Sequence, residues 1–176
     1  MELDKDLRSV QETRTLLCQA EAAFQTLRTF RQEQLDAITE AISRAGSENA
    51  AMLGKMACEE TSFGNARDKE AKNRFAAERV YRAIRGMKTV GILREDREKR
   101  VWDVGVPVGV IAGIVPSTNP TSTVIYKAMI ALKAGSPIVF SPHPHAVQCT
   151  MKAAELISRA AEAAGCPKGA IGCIPT

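Results

Sequence analysis

A chain of 176 residues with 45% hydrophobic and 25% charged residues fits one globular domain, which can bury about 70% of the surface of its unfolded form. Its formal net charge of +4 comes from interleaved acidic and basic residues, also in the dense run at residues 94–100, so we expect no nucleic-acid partner. We also expect no membrane segment and no signal peptide, because no apolar run could span a bilayer and the first residues are mostly charged.

Residues 1–87 predict a helical region. Apolar residues at helical spacing predict a first helix that ends near residue 27. A second helix is expected to begin at a capping box formed by Thr29 and Gln32 and to stop at Gly46. The spaced apolar residues of the first helix are Leu3, Leu7, Val10, Leu17, Ala20, Phe24 and Leu27.

Two further helices complete this region. One is predicted over residues 47–62 and is broken by Gly64. The other is long and begins after Asn65, which suits an N-cap. Its expected buried face consists of Ala71, Phe75, Val80, Ile84 and Met87.

Residues 88–107 predict a β-hairpin. Strand-like stretches at residues 89–93 and 100–106 flank the mixed-charge run. A two-stranded ribbon is marginally stable by itself. We therefore expect a projecting element that pairs with another chain, giving a homo-oligomer, or with a further part of the same fold.

Residues 108–176 predict a β-α-β-α-β unit. Residues 108–115 are all Val, Ile, Ala or Gly, as in a strand that is buried on both faces of a parallel sheet. Pro116 ends this strand, and Asn119 and Pro120 suit the N-cap and the first position of a helix. The elements that follow are a helix at 121–134, a strand at 137–140, an amphipathic helix at 146–164 and a strand at 170–174.

Polar loops follow the first two strands of this unit. Right-handed crossovers place the carboxyl ends of parallel strands at the same edge of a sheet, where open α/β sheets bind their ligands. The loops at residues 117–121 and 141–145 should therefore line one site. Both histidines of the chain, His143 and His145, lie in the second loop.

The cysteines argue against disulfides and against a metal site. They are five in number and scattered, with no C-x-x-C pair and no zinc-ligand spacing to a histidine. We expect reduced thiols, a cytoplasmic location and no bound metal. The five are Cys18, Cys58, Cys149, Cys166 and Cys173.

Several motifs together point to one enzyme family. They are residues 108–121, Lys127, Leu132-Lys133, Phe140-Ser-Pro-His-Pro144, and upstream Glu59-Glu-Thr-Ser-Phe-Gly64, Asp68-Lys69, Lys72-Asn73 and Phe75. With these motifs the chain resembles the CoA-acylating aldehyde dehydrogenases, which include the acetaldehyde dehydrogenase (acetylating) half of bifunctional aldehyde–alcohol dehydrogenases. The resemblance covers practically the whole chain and implies the amino-terminal part of such an enzyme. The implied α/β fold has amino-terminal helices, a projecting hairpin and an incomplete Rossmann-type parallel sheet that binds NAD.

The resemblance also implies a reaction and a set of site residues. The family oxidises a small aldehyde with NAD and passes the acyl group from an enzyme cysteine to CoA. Asn119 matches the family's asparagine whose side-chain amide stabilises the oxyanion. Ser141 and His143 match the region that holds the adenine-side ribose of NAD. The nicotinamide side would be lined by Pro116, Ser117 and Thr118.

One departure from the family is large. The nucleophilic cysteine and the glycine-rich loop over the cofactor have no counterpart in this chain. Cys149 is the cysteine nearest to the inferred site in sequence, but it lies in a predicted helix without an adjacent base. We therefore expect the chain by itself to be inactive.

Several of these residues also have an ordinary structural interpretation. Asn119 can cap its helix, and this role is compatible with catalysis because Oδ1 can accept from the helix while Nδ2 donates outward. His143 can be a plain loop histidine, and Lys127 and Lys133 a pair that reaches solvent. Exposed carboxylates are expected at Glu59 and Glu60, and close packing at Gly109 and Gly113.

Two hypotheses of different classes follow from the sequence. The first is a segment of an acylating aldehyde dehydrogenase, in the cytoplasm or in a bacterial microcompartment. The second is a non-catalytic nucleotide-binding or assembly module derived from this fold. The last predicted strand is followed directly by residues 174–176 without a helix to cover its edge, which favours the first hypothesis.

Overall fold

The computed structural model describes residues 4–175. In it, helices surround a small parallel sheet, and a two-stranded hairpin forms a separate sheet beside them. The amino-terminal helices are α1 (Lys5–Leu27), α2 (Gln32–Glu48), α3 (Ala50–Thr61), α4 (Ala66–Arg74) and α5 (Val80–Ile84), with a π-helical turn, Phe75–Arg79, between the last two. The hairpin consists of β1 (Gly91–Asp96) and β2 (Val101–Gly105). The rest comprises β3 (Ile111–Val115), α6 (Pro120–Lys133), β4 (Ile138–Pro142), α7 (Val147–Ala163) and β5 (Ile171–Cys173).

The parallel β-α-β-α-β unit is confirmed. The strands lie in the order β3-β4-β5, with Ile138 of β4 opposite Ile111 on one side and Ile171 on the other. Helices α6 and α7 pack on the face that carries Ile138, and α2 packs against both helices. Leu16 of α1 approaches the opposite face near Val139. None of the helices within residues 4–175 is long and apolar enough to cross a membrane.

Strand β3 is covered on one face only, so the expectation of burial on both faces is wrong. Val115 points into the core and is 1% exposed, whereas Ile114 on the other face is 66% exposed. The reason is that α1 packs beside β4 and β5 and leaves the outer face of the edge strand open. The apolar composition of β3 shows that its side chains can be buried, but it does not show which elements cover each face.

The second helix begins and ends differently from the prediction. Gln34, not Gln32, supplies its capping contact by accepting from the backbone N–H of Arg31 at 3.0 Å. Gly46 lies inside α2, where an added Cβ would stand 3.0 Å from Cγ2 of Ile125. Glycine is therefore required here for close packing of α2 on α6 and does not end the helix, which continues to Glu48.

The long fourth helix forms, but its buried face is not the expected one. Asn65 caps it as predicted, because Oδ1 accepts from the backbone N–H of Asp68 at 2.9 Å. The π-helical turn then changes the angular position of the residues that follow. Phe75, the first residue of that turn, is 63% exposed, and Ala71 before it is exposed as well. Val80 and Ile84 after the turn are partly buried against the core, as predicted. The buried side chains are Lys69, Asn73, Ala76 and Ala77.

Lys133 is a buried anchor, which contradicts its interpretation as a solvent-reaching lysine. Its side chain is 2% exposed and forms an ion pair with Asp36 of α2. Its ammonium also donates to the carbonyl of Arg85 at 3.0 Å. The backbone carbonyl of Lys133 accepts from the hydroxyl of Thr89. These contacts join α2, α6 and the segment that leads into the hairpin.

The hairpin forms as predicted. Its antiparallel strands pair Gly91 with Gly105 and Asp96 with Val101. Nearly all of its residues are exposed, and Trp102 is 63% exposed. The hairpin therefore projects from the body and presents apolar side chains to its surroundings.

We expect Asp36→Ala to destabilise the fold more than Lys133→Met. Removing the carboxylate leaves a buried ammonium without its counter-charge, which costs about 3 kcal/mol in the free energy of unfolding. Replacing the lysine by methionine removes the buried charge itself and leaves a carboxylate that is 40% exposed. Urea unfolding followed by circular dichroism measures both, with Glu59→Ala, which removes the exposed pair to Lys55, as the control. Equal losses in the two variants would contradict the assignment.

Candidate active site at the carboxyl edge of the parallel sheet

The two polar loops lie side by side, as the topology predicted. Val115 at the end of β3 is opposite Pro142 at the end of β4, and Ile114 is opposite Ser141. The backbone N–H of His143 donates to the carbonyl of Val115 at 3.0 Å. The loop after β3 and the loop after β4 therefore share one edge of the sheet. The predicted site residues at this edge are Pro116, Ser117, Thr118, Asn119, Ser141 and His143.

Asn119 stands before α6, but its side chain does not cap the helix. Its Oδ1 accepts from the ammonium of Lys72 at 3.0 Å, and its Nδ2 donates to the hydroxyl of Thr118 at 3.3 Å. Only its backbone carbonyl takes part in the helix, by accepting from the N–H of Thr123 at 3.2 Å. The predicted cap contact through Oδ1 is therefore wrong, and the second Nδ2 hydrogen has no recorded acceptor within the described residues.

A second lysine of α4 holds the backbone of the same loop. Lys69 is 4% exposed, and its ammonium donates to the carbonyl of Thr118 at 3.0 Å. Burial, and then the positive charge of Lys72, lower the pKa of Lys69 below its usual value. Neither lysine was predicted from the sequence to be a site residue. Their i, i+3 spacing, which puts both on one face of a helix, was the available signal.

Buried polar contacts join α4 to the first turn of α6. Asn73 is 1% exposed and donates through Nδ2 to the carbonyl of Ala50 at 3.0 Å. Its Oδ1 accepts from the hydroxyl of Thr121 at 2.8 Å. Both ends of this amide are therefore satisfied, and α4 is fixed against the helix that begins beside Asn119.

A cavity of about 470 Å³ opens beside Asn119. Its walls combine aromatic and aliphatic side chains with a few polar groups. A second cavity, of about 240 Å³, shares Asn119 and Lys72 with the first as lining residues. The larger cavity is lined by Lys72, Phe75, Ala76, Val80, Pro116, Asn119, Ser122, Thr123 and Tyr126.

His143 is exposed at the sheet edge with one ring nitrogen engaged. Its Nδ1 accepts from the backbone N–H of His145 at 3.1 Å, and the two imidazole rings meet edge to face with centroids 5.3 Å apart. A neutral ring that accepts at Nδ1 carries its hydrogen on Nε2. His143 therefore offers a hydrogen-bond donor at the edge where Ser141 offers a hydroxyl.

Cys149 is buried and chemically unsuited to act as a nucleophile. It is 0% exposed, and burial, followed by the nearby Glu60, raises the pKa of its thiol to about 12. Burial also raises the pKa values of Cys166 and Cys173 to about 12. Within residues 4–175 no cluster of three or more His, Cys, Asp or Glu side chains could hold a metal ion.

Glu60 has a structural contact that the sequence did not reveal. Its carboxylate accepts from the backbone N–H of Gln148 at 2.8 Å and from that of Cys149 at 2.7 Å. A carboxylate at a helix N-terminus satisfies free donors and is favoured by the helix dipole. Glu60 thus ties the end of α3 to the start of α7, whereas an exposed carboxylate was expected.

The model of the aldehyde dehydrogenase family matches residues 6–176. This chain belongs to the aldehyde dehydrogenase family. It is 43% identical over 166 residues to the bifunctional aldehyde-alcohol dehydrogenase of Escherichia coli strain K12, covering 94% of this chain and 19% of that protein. It is 35% identical over 156 residues to the succinate-semialdehyde dehydrogenase (acetylating) of Clostridium kluyveri, covering 89% of this chain and 34% of that protein.

Solved structures of acylating members share the fold of this aldehyde dehydrogenase chain. An acetylating aldehyde dehydrogenase from Geobacillus thermoglucosidasius superposes with a TM-score of 0.98 at 54% identity, covering 99% of this chain and 39% of that one. A propionaldehyde dehydrogenase from Rhodopseudomonas palustris, solved with bound CoA and an acylated cysteine, gives a TM-score of 0.75 at 29% identity, covering 93% and 37%. The predicted fold class is confirmed, and the chain spans about a fifth of the length of the bifunctional relative.

We expect the buried cysteines to resist alkylation. At pH 8 iodoacetamide should modify Cys18, which is exposed, while Cys149 and Cys166 stay unmodified because their thiols, with pKa values near 12, form almost no thiolate. Peptide mapping by mass spectrometry measures each site, and the same reaction in urea is the control in which all should react. Rapid labelling of Cys149 in the folded chain would contradict this assignment.

Proposed function

We propose that this chain is the amino-terminal part of an NAD-dependent, CoA-acylating aldehyde dehydrogenase, which converts a small aldehyde, CoA and NAD to acyl-CoA and NADH. The observation that carries the proposal is the side-chain amide of Asn119, held at the wall of a cavity at the sheet edge. The family match and the acetylating relatives support the same reaction class. Acetaldehyde is the substrate with which to test it.

Asn119 would act as a hydrogen-bond donor to the oxyanion. When a thiolate adds to the aldehyde carbon, the carbonyl oxygen becomes negative, and a preorganised N–H aimed at it is worth about 3 kcal/mol. The Nδ2 of Asn119 gives one hydrogen to Thr118, and its second hydrogen can meet that oxygen. The cavity walls formed by Phe75, Val80 and Tyr126 would hold a short alkyl group and exclude water.

The sheet edge fits a nicotinamide dinucleotide. The cofactor, when bound, supplies a hydride acceptor. Its ribose hydroxyls need neutral donors and acceptors, which the Ser141 hydroxyl and the His143 Nε2–H provide by their chemistry. Ser117, Thr118 and Pro116 stand on the side of the edge next to Asn119 and its cavity, and they would line the nicotinamide side. The propionaldehyde dehydrogenase solved with bound CoA supports CoA as the second substrate.

The catalytic nucleophile would come from outside this chain. Among the cysteines described here, Cys149, Cys166 and Cys173 have thiol pKa values near 12. Cys18 is exposed on α1. Cys58 is half-buried on α3, where its thiol donates to the carbonyl of Gly64, and neither cysteine belongs to the two loops at the sheet edge. The chain alone is therefore a partial site, with an oxyanion donor and a cofactor edge but without a reactive thiol.

The hairpin would serve assembly into a homo-oligomer. Its strands expose apolar side chains, with Trp102 at 63%, Val104 at 53% and Ile92 at 46%. Exposed apolar residues on a paired ribbon fit a protein interface. The proposed location is the cytoplasm, or a bacterial microcompartment, like that of the propionaldehyde dehydrogenase from Clostridium phytofermentans.

The chain alone should give no turnover with acetaldehyde, CoA and NAD. The measurement is NADH formation at 340 nm, with the Geobacillus enzyme as the positive control and NADH binding followed by fluorescence. CoA-dependent turnover would contradict the assignment of a missing nucleophile. NADH binding without turnover would mean that this part of the sheet preserves a cofactor site, whereas failure to bind NADH at millimolar concentration would count against the proposed ribose contacts.

In an active enzyme, Asn119→Ala should lower kcat roughly 100- to 1,000-fold, as loss of one oxyanion donor does. A chimaera in which residues 1–176 replace the matching segment of the Geobacillus enzyme supplies the active context. The control is Asn49→Ala, which removes an amide whose Nδ2 donates to the carbonyl of Ala45, away from the site. An Asn119→Ala chimaera with undiminished kcat would overturn the role of this residue.

A further inference from the structure

We propose that Lys72 is a positioning residue that orients the side-chain amide of Asn119 so that Nδ2 donates into the active site. This inference rests on the proposed role of Asn119 as oxyanion donor. It adds to the proposed site the residue Lys72, which is 47 positions before Asn119 in the sequence and on a different helix. Lys72 lies on α4, and Asn119 stands at the start of α6.

The contact between the two residues determines which end of the amide faces the site. An asparagine side chain has an oxygen that only accepts and a nitrogen that only donates, and a lysine ammonium can only donate. The 3.0 Å contact of the Lys72 ammonium is therefore compatible with Oδ1 and incompatible with Nδ2. The amide cannot turn over without placing its N–H groups against a cation. Nδ2 must then point away from Lys72.

Thr118 completes this orientation. Its hydroxyl accepts one Nδ2 hydrogen at 3.3 Å, and its carbonyl is held by Lys69 at 3.0 Å. Lys72 thus restrains the amide oxygen of Asn119, and Thr118 restrains its nitrogen. Thr118 is in turn held by Lys69. One Nδ2 hydrogen is left for a ligand oxygen.

The helix that carries Lys72 is fixed where it meets α6. The neighbouring Asn73 is 1% exposed and bonded to Ala50 and to Thr121. Thr121 follows Asn119 by two positions. The distance between Lys72 and Asn119 is therefore set by a buried contact beside them and not by the flexible lysine stem alone.

The charge of Lys72 also changes the chemistry of the amide. A cation bonded to the amide oxygen draws electron density from the nitrogen, and hydrogen bonds in such a chain strengthen one another. The remaining N–H of Asn119 becomes a stronger donor to a developing oxyanion. Because the lysine contact is part of the resting structure, no reorganisation is needed when that charge appears.

The use of Asn119 argues against a purely structural contact. Asparagine at the N-cap ordinarily accepts from the second or third backbone N–H of its helix, and this stabilises the helix. Asn119 occupies that position and makes no such bond. The ammonium of Lys72 instead donates to Oδ1 of Asn119, the oxygen that an N-cap would use. A departure from a stabilising local pattern is expected where function requires a different orientation.

The first test measures the orientation itself in the 176-residue chain. Two-dimensional NMR of the side-chain amides should show that Lys72→Met shifts the Asn119 Nδ2 signals and removes their cross-relaxation to the Thr118 side chain. Lys72→Arg should keep the Nδ2 signals at their original positions and should keep the cross-relaxation. Lys55→Met, an exposed lysine of α3, is the matched control. Unchanged Asn119 signals in Lys72→Met would overturn the proposal. Lys72→Gln repeats the test in a second variant, because a glutamine amide can both donate and accept and so does not select Oδ1 of Asn119.

The second test separates action through Asn119 from a direct contact with substrate or cofactor. In the chimaera described above, Lys72→Met should lower kcat roughly 10- to 100-fold, the range for loss of one charge-assisted hydrogen bond, with little change in the KM for acetaldehyde. Combined with Asn119→Ala, it should cause no further loss, because residues that act through one another are not additive. Lys72→Arg should restore most of the activity.

The outcomes distinguish this inference from the proposed function. If Asn119→Ala leaves kcat unchanged, the proposed role of Asn119 fails, whatever Lys72 does. If Asn119→Ala lowers kcat but Lys72→Met does not, only the positioning role of Lys72 fails. If the losses in the double variant are additive, Lys72 acts independently of Asn119, and the positioning role is again wrong.

Discussion

The proposed site depends on the way α4 is fixed against the first turn of α6. Asn73 is bonded at both ends of its amide, to Ala50 and to Thr121, and Lys69 reaches the carbonyl of Thr118. Because these groups are buried, moving either helix would leave polar atoms without partners, at a cost of about 1–3 kcal/mol each. This junction places Lys72 beside Asn119, and it therefore controls the geometry of the proposed oxyanion donor.

Buried lysines recur in this fold as anchors between segments that are distant in sequence. Lys133 joins α2 to the segment before the hairpin, as Lys69 joins α4 to the loop after β3. Burial of an ammonium is unfavourable unless its hydrogens are taken up by a carboxylate or by carbonyls. Lys133 meets a carboxylate and a carbonyl, and Lys69 meets the carbonyl of Thr118. Such contacts fix the relative placement of helices more closely than apolar packing alone would.

Apolar side chains are exposed at several places within residues 4–175, including β3, the hairpin and α1. Ile114 on the outer face of β3 is 66% exposed, Trp102 on the hairpin is 63% exposed and Leu17 on α1 is 43% exposed. The matched Geobacillus structure is much longer, since this chain spans 39% of it. Under the proposed function, other parts of the same fold cover β3 and α1, and a second copy covers the hairpin. Under that proposal, the exposed apolar surfaces and the incomplete site are both explained by parts of the fold that lie outside this chain.

Sequence reasoning alone predicts the order of the elements, the parallel unit at residues 108–176, the cap at Asn65 and the sheet edge that the loops of Asn119 and His143 share. These follow from local periodicity, from turn residues and from the fixed hand of parallel crossovers. The packing of the helices was needed to show that Gly46 is a packing contact, that Glu60 binds the start of α7 and that Lys72 holds Asn119. Each of these joins residues far apart in the chain, and the distance between them depends on how the helices pack, which the periodicity of a local sequence does not encode.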